Sequence, residues 1–417
     1  VDITWAQGHK DIRLSFGNIV ITRKGAGTIG RASFYSEKIN RNSDDSLFRV
    51  AIDPDKADSG YIVAYLRSFT GERLLEKGVY GSTGQLSLSS QHIRNLPIKT
   101  ISNPVQKYIG DKVRQAESLR EWAKQLRENV DSVLNSINLP INAKPSLYSY
   151  TDISILEDIL DPRPYRSNVV NLVNKIETIE HSKLSSIVTF SSGLSVSSND
   201  FIEDNYEAPL VRIRNISADD FIGLDTGVSQ LLYGESENYQ AEEGMVVLGM
   251  DGYFRSQFFI NDELPMLVNQ RVAMLKPKDI SAELLTHWLN RPEGQLQLSQ
   301  WAVKTTVEHT SLTDIAKVLI PRLNKNIEIE LANKLLKVRY SIRLSKKLTD
   351  LAKLLVEQLI EGQISEAELA TAQQKLEAGD NSFDRVLLER ITTDGIGSEV
   401  TPLFDDIDQL YDLLAQA

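Results

Sequence analysis

The chain has 417 residues, enough for two or three domains, and its 41% hydrophobic and 25% charged content is that of a folded globular protein. It has no cysteine, which excludes disulfides and thiolate metal sites, and its longest apolar run, Leu351–Ile360, is broken by Lys353 and Glu357 and too short to cross a bilayer. The net charge of −11 is uneven: +6 over residues 1–150, −12 over 151–320, +5 over 321–360 and −10 over 361–417. Phosphate binding follows local patches, so the basic first segment suits a nucleic-acid partner, while the acidic middle segment counts against one there. No secretory leader pattern opens the chain, which predicts a cytoplasmic protein, and a start at Val1 rather than Met predicts further residues upstream.

In chain order, Gly17-Asn-Ile-Val-Ile21 reads as a strand running into Gly25-Ala-Gly27-Thr-Ile-Gly30. Those glycines fit GxGxxG, but a dinucleotide site needs a helix opening on them, and Arg31–Tyr35 has strand character. A tight turn carrying Arg23, Lys24 and Arg31 toward phosphates is the better reading. Tyr61–Gly71 is a short helical segment. Lys77 then precedes a loop, Gly81-Ser82-Thr83-Gly84-Gln85, that offers hydroxyls and an amide suited to base edges; the plainer alternative is a solvated loop.

Next comes a heptad stripe, Val105, Ile109, Val113, Ala116, Leu119, Ala123, Leu126, Val130, Val133 and Ile137, with one local slip. It predicts a helix about 50 Å long, too narrow in its apolar face to stand without a partner helix.

The second half repeats this order. Residues 151–240 come first and have no earlier counterpart; they include Asp161-Pro-Arg-Pro-Tyr165 and a strand-like Leu184–Phe190. Arg212, Arg214 and Asn215 alternate with Val211, Ile213 and Ile216, predicting a strand with two guanidinium groups on its open face. Gly244–Leu248 matches Gly17–Ile21, and Gly249-Met-Asp-Gly252 stands where the first glycine turn stands. Trp288-Leu289…Gly294 follows Tyr65-Leu66…Gly71 at a constant offset of 223, and Lys304-Thr305-Thr306 takes the place of the Gly81–Gln85 loop. Then Ile327, Leu331, Leu335, Val338, Leu348, Ala352, Leu355 and Leu359 lie 222 residues after eight of the ten stripe positions, with polar Ser341 and Ser345 at the other two. The chain is read as a tandem duplication whose first copy lacks its start. The acidic tail reads as two or three short helices, the last over Leu403–Leu414 with Phe404, Ile407, Leu410, Tyr411 and Leu414 on one face. It is expected to cap the long helices, with partner binding or DNA mimicry as alternatives.

No motif points to catalysis. His9, His92, His181, His287 and His309 are scattered, and no Walker A loop, nucleophile elbow, methyltransferase signature or nuclease cluster is visible.

This order resembles the specificity (S) subunits of type I restriction–modification systems. Four passages carry the resemblance: Asn18–Gly30, Gly81–Gln85 leading into Leu88–Ile98, Leu210-Val-Arg212-Ile-Arg214-Asn215-Ile216, and Val268-Asn269-Gln270-Arg271-Val272. It implies an α+β fold in which two α/β target-recognition domains are separated by two long helices packed as an antiparallel coiled coil. The expected division is a first recognition domain over 1–103, a spacer helix over 104–140, a second recognition domain over 141–322, a second spacer helix over 323–362 and an acidic helical tail over 363–417.

The resemblance further implies a non-catalytic chain that binds double-stranded DNA and directs two methyltransferase subunits, with a nuclease or translocase subunit in some systems. S-adenosylmethionine and ATP would be held by those partners, and this chain would hold no cofactor. The residues expected at DNA are Arg23, Lys24, Arg31, Lys77, Ser82, Thr83 and Gln85 in the first half. In the second half they are Arg212, Arg214, Asn215, Arg255, Asn269, Gln270, Arg271, Lys304, Thr305 and Thr306. Two other readings stay open: an S-like subunit of a phage-defence complex that methylates DNA without a nuclease, and a coiled-coil scaffold whose globular parts bind protein.

Overall fold

The computed structural model describes residues 13–417 apart from 26, 40, 82–85, 142–147, 149, 158–160, 305, 394 and 398–400. It is mixed helix and strand, and it divides into two compact units. One is Val1–Trp122 with Ser341–Ala417, the other Ala123–Tyr340.

The first unit holds an antiparallel sheet with Ile19–Thr22 between Ala32–Phe34 and Leu47–Val50. Ile19 and Ile21 are fully buried while Val20 and Thr22 are half-buried, the period-two pattern of a sheet with one face on the core. Helices Ser59–Arg67 and Phe69–Glu76 follow. The side chains of Asp58 and Ser68 cap them by accepting from the Tyr61 and Gly71 N–H groups. The second helix turns off so closely that a Cβ on Gly71 would lie 1.9 Å from the Tyr65 carbonyl oxygen.

A hairpin of Val79–Tyr80 and Ser87–Leu88, a short helix Ser90–Arg94 and the long helix Asn103–Asn135 complete the order. Within this unit, Val105, Ile109, Val113, Ala116 and Leu119 are buried, as are Leu348, Ala352, Leu355 and Leu359 of the second long helix, Lys325–Glu361. Lys99 donates to the Leu359 carbonyl at 2.6 Å, and Arg120, further along the first helix, donates to Thr349 Oγ1, earlier in the second, at 2.8 Å. Ser341 and Ser345 occupy their stripe positions at 0% and 1% exposure. Ser345 satisfies its hydroxyl on the Ile342 carbonyl at 2.7 Å.

The tail forms helices Glu366–Glu377, Ser382–Glu389 and Ile407–Leu414 with a small hairpin between the last two. The last helix begins four residues later than expected. Leu403 and Phe404 are buried ahead of it, and Leu413 rather than Leu414 turns inward with Leu410. Asp384 is buried against the first long helix, where it accepts from Lys112 at 2.9 Å and from the Tyr108 hydroxyl; Tyr411 of the tail donates to it as well. Burial pushes the Asp384 carboxyl up, but Lys112 and the two hydroxyls outweigh it and hold it below the usual range.

The second unit repeats the pairing. Val246–Gly249 lies between Ser256–Phe258 and Val272–Pro277, and Val188–Ser192, from the stretch without an earlier counterpart, adds a fourth antiparallel strand. Ile19 pairs with Phe34 and Val50; Val246 pairs with Phe258 and Leu275. Here both faces are covered. Val246, Leu248 and Leu275 enter one core with Trp288, while Val247, Val272 and Met274 enter another with Phe259. That is why Val246–Gly249 is buried at every position, where burial in the first copy alternates. Helices Ala282–Asn290 and Pro292–Gln300 repeat the sharp turn, with a Gly294 Cβ falling 2.2 Å from the Trp288 carbonyl oxygen. The constant spacing of aromatic, leucine and glycine thus has a steric cause: only glycine fits where one helix leaves the other.

Three expectations are corrected. Residues 184–187 form a helical turn and the strand begins at Val188. The strand at Ala208–Val211 ends before Arg212, and residues 213–215 close a 3-10 turn. Ile327 is 39% exposed, because the buried stripe of the second helix begins one turn later at Leu331.

Candidate nucleic-acid interface

In the first unit the central strand ends at Thr22 and the chain turns through Gly25, at φ 138°, and Gly27, at φ 72°, before re-entering the sheet at Ala32. An added Cβ on Gly25 would meet Thr28 Oγ1 at 2.9 Å. A strand follows these glycines, so the helix that a dinucleotide site requires is absent here. The turn sits beside the Val79–Leu88 hairpin: Lys24 bridges to Ser87, and the Leu88 N–H donates to the Arg23 carbonyl at 2.9 Å. On its other side the Arg23 N–H donates to Ser46.

The Arg23 guanidinium stacks over Phe48 at 5.4 Å, with Nε buried and unpartnered. Exposed Lys24 pairs with Asp45 at 2.6 Å, and this hydrogen bond holds the Asp45 carboxyl below its ordinary value. Arg31 and Lys77 are exposed. Ser82, Thr83 and Gln85 lie outside the described residues.

The second unit builds the same constellation. The turn after Gly249 bridges through Asp251 to His309 in the hairpin of Val303–Lys304 and Glu308–His309. The Met250 N–H donates to the Arg271 carbonyl, as Arg23 does to Ser46. Asp251 accepts from His309 Nδ1 at 2.7 Å and faces Arg271 Nε at 3.7 Å. In the first unit the turn supplies the cation and its neighbour the anion; here the polarity is reversed.

Arg255 is exposed and lies over the Tyr253 ring at 5.5 Å. Gln270 and Thr306 are exposed and Asn269 half-buried, its backbone N–H on the Val211 carbonyl at 3.0 Å. Lys304 belongs to the hairpin strand, its side chain and Thr305 lying outside the described residues.

Arg212 and Arg214 converge on Asp225, at 3.2 and 2.5 Å, rather than lining an open strand face. Arg212 is largely covered, stacked on Phe201 and bonded to Thr226, whereas the Arg214 side chain is 57% exposed. Asn215 is buried: its Oδ1 accepts from the Arg212 N–H and its Nδ2 donates to the Ile222 and Gly223 carbonyls. Its amide is therefore spent within the turn, a use that the alternating pattern did not signal.

Sequence reasoning also passed over Asp251, Tyr253 and His309, and the apolar hairpin residues Tyr80, Leu86, Val303 and Val307, all four exposed. Among the described residues, no group of three or more His, Asp or Glu could hold a metal, and no helix is long and apolar enough to cross a membrane.

No family model matches the chain, and no curated protein does. Solved structures do. The S subunit of a type I restriction–modification system from M. genitalium is similar at 16% identity, over 86% of this chain and 83% of that one, with a TM-score of 0.41. A structure described by complex assembly and conformational transition of the type I restriction–modification system is similar at 12% identity, over 87% and 82%, with a TM-score of 0.32. The HsdS subunit from Thermoanaerobacter tengcongensis is similar at 14% identity, over 89% and 82%, with a TM-score of 0.30.

Proposed function

We propose that this chain is a non-catalytic, sequence-specific DNA-binding subunit that reads a target in two halves and directs methyltransferase subunits to it. The observation that carries the reading is the repeated constellation: in each unit a glycine turn stands beside a two-stranded hairpin and an adjoining turn, with exposed cations on or near them. A two-stranded ribbon fits the major groove, and basic side chains flanking a glycine turn can reach phosphates closely. Two copies of one reading device, joined by two long helices packed antiparallel as a ruler, suit a split target with a fixed gap.

In this reading Arg23, Lys24, Arg31, Lys77, Arg214, Arg255 and Arg271 meet the backbone or base edges, and Arg212 and Asn215 shape the turn that presents Arg214. Two methyltransferase subunits sit on the helical spine, in the cytoplasm, with S-adenosylmethionine and ATP bound in partner subunits. A nuclease or translocase subunit extends the same assembly to defence against phage.

The test is co-expression with the neighbouring methyltransferase and single-molecule sequencing of methylated bases. Methylation at a split motif with a constant gap is expected. A continuous motif would leave only one unit reading DNA. A stable complex with no salt-dependent duplex binding would favour a protein-binding scaffold, since phosphate contacts release counterions.

A further inference from the structure

The two hairpins share a feature that charge does not explain. Tyr80 pairs with Ser87, which bridges to Lys24; Val303 pairs with His309, which bridges to Asp251. Tyr80 and Val303 therefore hold the same ladder position in the two copies, and both are open to solvent, 57% and 59% exposed. Each return strand brings a second apolar residue, Leu86 just before Ser87 and Val307 two residues before His309, both 44% exposed. In the second unit the left-handed Gly252, at φ 72°, lies close to Val307, 3.7 Å from where its Cβ would be, and Tyr253 after it is 80% exposed. A single exposed apolar residue needs no explanation. An exposed apolar residue at the same ladder position of a duplicated hairpin, in both copies, points to a surface with a use.

We infer that these hairpins read thymine by its 5-methyl group, through Tyr80 in one half-site and Val303 in the other. The inference rests on the DNA-reading function proposed above. The major groove admits a two-stranded ribbon, and the thymine methyl is the one apolar feature that bases present there. Lys24 adjoins the first hairpin and Lys77 leads into it, while Arg271 faces Asp251 beside the second, and exposed Arg31 and Arg255 lie in the adjoining turns, cations of the kind that meet phosphates.

Deoxyuridine pairs as thymidine does but lacks the methyl, so it isolates this contact. With the target mapped, binding of the assembled complex to duplexes carrying single thymidine-to-deoxyuridine changes is measured by fluorescence anisotropy at one salt concentration. At least one change in each half-site is expected to weaken binding about fourfold, the worth of one buried methyl-sized group. Tyr80→Ser is expected to abolish the penalty in one half-site only, and Val303→Ser in the other only; both positions are exposed, and circular dichroism checks that the variants fold.

Specific binding that is indifferent to every deoxyuridine change, or a target without thymine in either half-site, would overturn the inference and leave the DNA-reading function standing. A penalty that survives both serine variants would assign the methyl contact to other residues and overturn it too. Absence of any specific duplex binding would instead overturn the function on which it rests.

Discussion

Lys112 and Asp384 face each other at 2.9 Å with their side chains 3% and 1% exposed, so a buried ion pair fastens the acidic tail to the first long helix. The Tyr108 and Tyr411 hydroxyls complete the carboxylate's hydrogen bonds. A buried pair satisfied on all sides is tolerated, but removing one partner strands the other charge. Asp384→Ala is therefore expected to destabilise the protein by about 3–5 kcal/mol. The double variant Lys112→Met, Asp384→Leu is expected to lose far less. Urea unfolding of the three proteins checks this; equal losses for single and double variants would refute the buried-charge account.

The same node sets a pH dependence. Asp384 is held below its ordinary value despite burial, so the folded state binds this proton less readily than the unfolded chain. Its contribution is full above the ordinary carboxyl value of about 4 and is lost as pH falls through the lower folded value. The wild type is expected to lose stability on acidification below about pH 4 more steeply than Asp384→Asn, which has no carboxylate to protonate there. Melting temperatures between pH 7 and pH 3 decide it, parallel curves being the contrary result.

Gly71 and Gly294 test the duplication as a steric fact. An alanine Cβ would fall 1.9 Å from the Tyr65 carbonyl oxygen in one unit and 2.2 Å from that of Trp288 in the other, distances backbone cannot accommodate without moving. Gly71→Ala and Gly294→Ala are each expected to cost at least about 1–3 kcal/mol, the usual range for overpacking. Gly234→Ala, which meets nothing within 4 Å, serves as the control. Thermal unfolding of the three variants makes the comparison.

How much of this was open to sequence reading depends on the range of the interaction. The aromatic–Leu…Gly spacing and the 222-residue offset between stripes were legible, because local sterics and helical periodicity write themselves into the chain. Asn215 was not: its amide turns inward to carbonyls seven and eight residues on, a choice made by a turn that alternation cannot reveal. Nor was the docking of the tail, since Tyr108 and Lys112 stand beside the apolar stripe and only the fold brings Asp384 to them. Tyr80 and Val303 were passed over for a related reason. Apolar residues at strand ends predict burial, and their exposure follows from a hairpin edge that none of the described residues of their own unit covers.

The last prediction separates phosphate contact from turn architecture. Arg271 and Arg214 have exposed side chains, 61% and 57%, each held near a single aspartate. If they meet phosphates, Arg271→Ala and Arg214→Ala are expected to weaken duplex binding across all sequences, each lowering the slope of log affinity against log salt by about 1. Stability would change by under about 0.5 kcal/mol, as for other surface positions. Asn215→Ala acts otherwise: it leaves the Arg212 N–H and the Ile222 and Gly223 carbonyls without their partner, at a cost of about 1–3 kcal/mol. Its effect on DNA binding is expected to follow loss of the folded turn, with the salt slope unchanged once binding is corrected for the folded fraction. Salt titrations of the three variants, paired with unfolding curves, distinguish the two roles. An Asn215 variant of full stability with altered sequence preference would move that residue from the scaffold to the reading surface.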